Sequence, residues 1–240
     1  MDLLAFGAHP DDIELFAGGF MAQCVARGYE VGLAHLTRGE RGTRGTPEER
    51  RSEAVQAAQA LGIGEDRVVF LDLGDTRVEN TEANRLEVIR VLRRWRPRVV
   101  LHGHPLDRHP DHRKGCLLVQ DACYYSGLAR LETGQPPWRS EKRLQFLNNT
   151  LPAESPSFIA DITPFFPQKL EALRAYRSQF HNPDYDGPET YISTREFFDQ
   201  IEIRARFYGG QIGVRYGEPF MTPDPLGLRD PLSLFLNPSL

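Results

Sequence analysis

Leu3-Leu4-Ala5-Phe6-Gly7-Ala8-His9-Pro10-Asp11-Asp12-Ile13-Glu14 is the stretch whose reading decides the fold. An apolar run that reads as a buried strand ends in a Gly-Ala step and then delivers one imidazole and three carboxylates. In an open parallel α/β sheet, ligands bind outside the carboxyl ends of the strands, and the loop after the first strand is a usual contributor. Leu15, Phe16, Phe20, Met21 and Val25 then recur near the helical period until Gly28 ends the pattern, so a helix follows the strand. Gly18-Gly19 falls inside that helix at a cost of about 1 kcal/mol per glycine relative to alanine. Either a close approach by backbone or ligand, or tight packing of helix on sheet, would account for it.

The pattern continues outward. Val31 to Leu36 reads as a second strand and Val68 to Leu71 as a third. Val99 to His102 reads as a fourth, and directly after it comes a second dense cluster, Asp107-Arg108-His109-Pro110-Asp111-His112. Between these strands lie helices: one from Pro47 after the N-cap Thr46, one from Asn80 or Thr81 to the stop at Pro97, and one over Leu117 to Tyr125. Such alternation predicts an α/β fold, a Rossmann-like, doubly wound, mainly parallel sheet flanked by helices. Its first strand and the strand that opens the second half are neighbours, so the two clusters face each other. A C-terminal elaboration follows a Pro-rich connection at 135–137. It comprises strands at Leu144 to Asn148 and Ser157 to Asp161, a helix capped at Thr163-Pro164, another over Thr194 to Tyr208, and no regular structure in the last thirty residues. We read 1–240 as one domain, with a core at 1–130 and the elaboration at 131–240.

The chain of 240 residues is 40% hydrophobic and 26% charged, the composition of a globular protein. A net charge of −4 argues against a protein built to coat nucleic acid. No apolar run approaches the ~18 residues that span a bilayer, and the N-terminus lacks the pattern of a signal peptide. The expectation is a cytoplasmic protein with neither nucleic acid nor membrane as partner. Cys24, Cys116 and Cys123 are odd in number and lack C-x-x-C spacing, which suggests buried small hydrophobes rather than a disulfide framework or thiolate site.

The two clusters suit a metal. A catalytic zinc takes three protein ligands from His and carboxylate and leaves a fourth position for water, which it acidifies. His9, Asp12 and His112 supply such a set, although iron(II) or another divalent ion also suits it. Asp11 would then be the general base, and His109 a general acid or oxyanion donor oriented by Asp111. Glu14 reads as structural. A dinucleotide site would need glycines where this chain has carboxylates, which repel phosphate. A two-metal phosphoesterase would need more bridging ligands, while a non-catalytic metal-dependent sugar-binding protein remains a rival. The loop Thr37 to Thr46 carries Arg38, Arg41 and Arg44 among glycines, and is either a substrate lid able to grip an anion or a solvated surface loop.

The motifs Ala8-His9-Pro10-Asp11-Asp12-Ile13-Glu14 and Arg108-His109-Pro110-Asp111-His112 together resemble the LmbE-like zinc-dependent N-acetylglucosamine deacetylases. Thr37-x-Gly39-Glu40, Arg50-x-x-Glu53, Ser178-Gln179-Phe180 and Gly213-Val214-x-Tyr216-Gly217-Glu218-Pro219-Phe220 extend the resemblance over most of the chain. The similarity is greatest to the branch that deacetylates N-acetylglucosaminyl malate in bacillithiol synthesis. It implies one Zn2+ on His9, Asp12 and His112, Asp11 as base, and His109 supported by Asp111. Arg50 and Arg108 would be active-site arginines, and malate's carboxylates would engage Arg38, Arg41 or Arg44. Some relatives use a tyrosine on the oxyanion, and the matching position here is Phe197, with Tyr191 nearby. The resemblance also implies a homo-oligomer, often a hexamer. Deacetylation of another N-acetylglucosamine conjugate, inositol-linked, chitin-derived or an antibiotic intermediate, is the alternative activity.

Overall fold

The computed structural model describes residues 1–148 and 155–236. Strand and helix alternate as the periodicity predicts: β1 (Leu3–Gly7), α1 (Asp12–Ala26), β2 (Val31–His35), α2 (Pro47–Ala60), β3 (Val68–Phe70), α3 (Glu82–Trp95), β4 (Val99–Gly103) and α4 (Pro110–Tyr125). Then come β5 (Lys142–Phe146), β6 (Phe158–Asp161), α5 (Phe166–Ala175), α6 (Arg195–Gln211), β7 (Gly217–Met221) and α7 (Pro231–Leu236). All seven strands form one sheet in the order β3-β2-β1-β4-β5-β7-β6. β1 to β5 run parallel to one another, and β7 runs antiparallel to both β5 and β6. The fold is the Rossmann-like, mainly parallel, doubly wound sheet that the sequence predicts.

β1 is apolar throughout because it is covered on both sides. Leu3 and Ala5 join the core under α1, α2 and α5, while Leu4 and Phe6 join the core under α3 and α4. Full burial of each leucine stabilises the fold by roughly 1.5–3 kcal/mol. Capping fixes where the helices begin. The Thr46 side chain accepts the Glu49 N–H in a capping box, Thr81 accepts the Asn84 N–H, and Thr194 accepts the Phe197 N–H, each worth about 1 kcal/mol. The paired glycines of α1 are explained by packing. A Cβ on Gly18 would press on the Lys169 side chain at 3.3 Å, and one on Gly19 would collide with Ile162 at 2.8 Å. The three cysteines are free and buried, and burial pushes their thiols up to about 12.

The second half departs from expectation in several places. β5 starts at Lys142, not Leu144, and a 3-10 turn at Thr163–Phe165 precedes α5. α4 starts at Pro110, so the whole Pro110-Asp111-His112 run lies in its first turn. The last thirty residues, read as irregular, contain β7 and α7, with 237–240 outside the described residues. Gly217 and Pro219 disguise β7 as a loop. The strand forms because β5 and β6 each present an edge to it, with Phe220 opposite both Phe146 and Phe158.

Candidate metal centre

β1 has β2 on one side and β4 on the other, so the order of the sheet reverses between β1 and β4. The loop after β1 carries His9 to Asp11 and the loop after β4 carries Asp107 to His109, so both clusters meet at this switch point. Asp11 adopts a left-handed backbone conformation (φ 107°, ψ −27°), which is strained for a residue with a Cβ. Arg50 of α2 holds it there. One guanidinium nitrogen donates to the Pro10 carbonyl at 2.6 Å and to Asp11 Oδ2 at 2.9 Å. Burial pushes the Asp11 carboxyl up to about 7 even with Arg50 beside it.

Asp12 stands between two imidazoles. Its Oδ2 lies 3.7 Å from His9 Nδ1 and its Oδ1 lies 3.2 Å from His112 Nε2. Ligand atoms on a tetrahedral zinc with bonds of about 2.0–2.1 Å stand roughly 3.3 Å apart, so these separations fit such an ion. The far nitrogen of each ring is turned to a carboxylate. His9 Nε2 faces Asp75 Oδ1 at 3.3 Å and Asp111 Oδ2 at 3.5 Å, and His112 Nδ1 faces Asp107 Oδ2 at 3.0 Å. Carboxylate, imidazole and metal in that order is the arrangement that orients metal-binding histidines. Burial alone would lower both rings, but Asp12 and Asp107 raise His112 to about 9, and Asp111, Asp12 and Asp75 raise His9 well above its usual value. For Asp12, burial works upward, and the two histidines hold it well below the carboxylate range. A buried His/Asp cluster of this kind is a metal-coordinating site.

His109 completes the constellation. Its ring centroid lies 4.9 Å from that of His9 and 4.7 Å from that of His112, and one ring nitrogen from each of the three lies within 4.8 Å of the others. It also caps α4, with Nδ1 accepting the Asp111 N–H at 3.2 Å. The backbone of Asp111 therefore holds His109, while its carboxylate accepts the Thr76 N–H at 2.6 Å and faces His9. Burial and the two neighbouring imidazoles keep the His109 ring below its usual value. Glu14 is fully buried behind the site beside Tyr176, and burial pushes its carboxyl up to about 8.

A pocket of about 980 Å³, counted to its open mouth, exposes this cluster and is walled by Arg41, Arg50 and Arg108. Arg108 lies over the Tyr191 ring at 5.4 Å. Arg38 is not part of the wall; its guanidinium donates to Asp72 at 2.9 Å. The Arg41 side chain donates to Thr76, and Arg44 is buried over the Tyr185 ring at 4.4 Å. The loop is fastened rather than loose: Tyr185 accepts the Gly45 N–H, Gln179 donates to the Arg44 carbonyl, and Arg50 donates to the Gly39 carbonyl. Gly39 (φ +64°) is required because a Cβ there would fall on the Arg50 guanidinium. Phe197 is buried and stacks on Phe180, whereas Tyr191 is 56% exposed with its hydroxyl 3.4 Å from Gln200.

Two residues of the site receive no role in the sequence reading. Asp75 follows a Gly in a short loop after β3, and it reaches His9 because the Glu40 side chain accepts its N–H at 2.7 Å. Asp107 opens the second motif, and its two oxygens serve the His109 N–H at 2.6 Å and the His112 ring. The paired oxygens of Asp107 could have been suspected from its place two residues before His109.

Comparison with known proteins bears on the whole chain. The family profile "PIG-L: GlcNAc-PI de-N-acetylase" matches residues 4–123, which include every residue of the two motifs. A diacetylchitobiose deacetylase of Thermococcus kodakarensis is 30% identical over 233 residues, covering 90% of this chain and 80% of that protein. The crystal structure of a conserved protein from Thermus thermophilus superposes with a TM-score of 0.85 at 36% identity, covering 96% of this chain and 98% of the other. That of an N,N'-diacetylchitobiose deacetylase from Pyrococcus horikoshii gives 0.79 at 29% identity, covering 92% and 83%. With this fold, this His/Asp cluster and these matches, the chain belongs to the LmbE-like, PIG-L family of metal-dependent N-acetylglucosamine deacetylases.

Proposed function

We propose that the protein hydrolyses the acetamide of an N-acetylglucosamine glycoside, releasing acetate and the free amine, with zinc held by His9 Nδ1, Asp12 and His112 Nε2. The observation that supports this reading is the position of Asp12 between two imidazoles, its Oδ2 3.7 Å from His9 Nδ1 and its Oδ1 3.2 Å from His112 Nε2, with Arg50-held Asp11 next in the chain. Bound there, the zinc would polarise the acetamide carbonyl and acidify the attacking water. The chain's own groups do the rest. Asp11, held by Arg50 and close to neutral pH in its titration, takes the proton from water. His109 stabilises the developing oxyanion when protonated and passes its proton to the departing amine. Asp75, Asp111 and Asp107 keep the His9 and His112 rings turned for ligation.

A saccharide aglycone of the chitobiose type is favoured over malate. Diacetylchitobiose is the substrate named for two of the similar proteins. Of the three arginines that malate's carboxylates would engage, Arg38 and Arg44 are occupied with Asp72 and Tyr185, and only Arg41 stands at the pocket wall. Arg41 and Arg108 at the pocket wall would contact the second sugar. No described helix is long and apolar enough to cross a membrane. The test is acetate release by metal-stripped protein before and after zinc is added, with diacetylchitobiose, N-acetylglucosaminyl malate and an inositol conjugate of N-acetylglucosamine in parallel. Zinc-dependent turnover led by diacetylchitobiose is expected. Turnover led by malate or inositol would move the aglycone, and tight zinc binding without any turnover would favour a sugar-binding protein.

A further inference from the structure

The catalytic pocket shares Leu15 and Phe16 with a second, smaller cleft formed by α1, α5, α6 and β7. This cleft encloses about 430 Å³ counted to its mouth, and four polar side chains line it: Lys169, Gln200, Arg204 and Glu218. Glu218 is 2% exposed and already committed. Its Oε1 accepts the Gly19 N–H at 3.0 Å and the Lys169 ammonium at 2.5 Å, and its Oε2 accepts the Phe20 N–H at 2.7 Å. A carboxylate offers about four lone-pair positions, so little of Glu218 is left for another donor.

Arg204 is differently placed. It donates to the Leu147 carbonyl at 2.6 Å, and its guanidinium lies near the Phe16 ring at 5.8 Å and the Tyr208 ring at 5.3 Å. A guanidinium carries five N–H donors, and among the described residues no carboxylate forms an ion pair with this one. Lys169 and Arg204 together therefore outweigh Glu218, and the cleft has one positive charge in excess. Burial works against both cations, lowering each from its ordinary value. An anion entering the cleft would relieve that cost and meet a planar fork suited to two oxygens.

We propose that this cleft is a subsite for a small carboxylate, gripped by Arg204 with the Lys169–Glu218 pair behind it. Two sources supply that chemistry beside a deacetylating centre: the acetate just released, or a carboxylate carried on the substrate's aglycone. Naming those sources rests on the deacetylase reading, whereas the excess charge of the cleft does not.

The test measures binding of 13C-labelled acetate by line broadening to the metal-stripped protein, at an ionic strength fixed with sodium chloride, in wild type, Arg204→Gln and Arg204→Lys. The dissociation constant should rise about tenfold in Arg204→Gln, the cost of one charge-assisted partner. Arg204→Lys, which keeps charge and stem, should fall between and guards against a folding defect. In the zinc-loaded enzyme, a weaker inhibition by acetate in Arg204→Gln identifies the product as occupant. A KM that rises more for N-acetylglucosaminyl malate than for diacetylchitobiose identifies the substrate's carboxylate. Equal acetate binding by all three proteins overturns the subsite. Loss of acetate binding in Arg204→Gln, in a protein that deacetylates none of the sugars, keeps the subsite and removes the deacetylase reading.

Discussion

Replacing Asp107 with asparagine should weaken zinc binding by about 10–100-fold while leaving the ligand set intact. The Asp107 carboxylate makes two bonds in the site, from the His109 N–H at 2.6 Å and to His112 Nδ1 at 3.0 Å. Hydrogen bonds to a charged acceptor contribute about 1.5–3 kcal/mol and neutral ones about 0.5–1.5 kcal/mol, so removing the charge costs roughly 1–1.5 kcal/mol per bond. Asparagine also has one oxygen rather than two. Whichever way its amide turns, an NH2 group meets either the His109 N–H or the protonated Nδ1 of His112. In the second case His112 would favour the tautomer with its proton on Nε2, the nitrogen that faces Asp12. The losses sum to about 2–3 kcal/mol, on the order of 100-fold in affinity and at the upper end of that range. Competition against a chelator of known affinity measures this directly, without any assay of turnover. A zinc affinity within a factor of two of wild type would show that His112 needs no carboxylate behind it and that the ligand geometry is misassigned.

Three further outcomes follow from the same geometry. Asp11→Asn should lower kcat for acetate release by about 10²–10⁴-fold, with zinc still bound in calorimetry; retained turnover would place the base elsewhere. Gly39→Ala places a side chain at φ +64° against the Arg50 guanidinium, so unfolding by heat should show a loss of about 1–3 kcal/mol together with reduced kcat, and neither change would mean that Arg50 does not depend on this loop. His102 is buried neutral, and burial lowers it from 6.5 to about 4. The unfolded chain takes up that proton near 6.5 while the folded ring does not, so stability is lost as pH falls from 6.5 toward 4, on the order of 3 kcal/mol from this ring alone. Urea denaturation across that range should show a flatter pH slope in His102→Gln than in wild type, and identical slopes would assign the acid sensitivity to other groups.

The parallel half of the fold was legible because each of its elements carries a local signature. β1 is apolar at every position since helices cover both its faces, and Thr46-Pro47 and Thr81 mark helix starts by chemistry that acts within one turn. β7 has no such signature. Gly-Glu-Pro-Phe-Met becomes a strand only because β5 and β6 stand on either side of it, and that arrangement is set by the rest of the sheet. The glycine pair of α1 sits between these cases. Its presence was plain in the sequence, but its partners, Lys169 and Ile162, come from a segment far along the chain.

The same division runs through the metal centre and sets the charge it carries. His9, Asp11, Asp12, His109 and His112 were visible because each motif is a strand end followed by a helix start. Asp107 stood in the second cluster without a role and Asp75 was not singled out, since the role of each depends on which ring nitrogen it meets across the switch point. Their addition changes the charge of the site. Arg50 offsets Asp11, but Asp12, Asp75, Asp107 and Asp111 all lie in salt-bridge reach of His9 or His112. Without a metal, those two imidazoles must take up protons to balance these carboxylates, and both are raised in consequence. Ligation needs neutral imidazole. Zinc binding should therefore release protons from His9 and His112, so the affinity measured with the chelator should fall as pH is lowered, most steeply in a protein that keeps all four carboxylates.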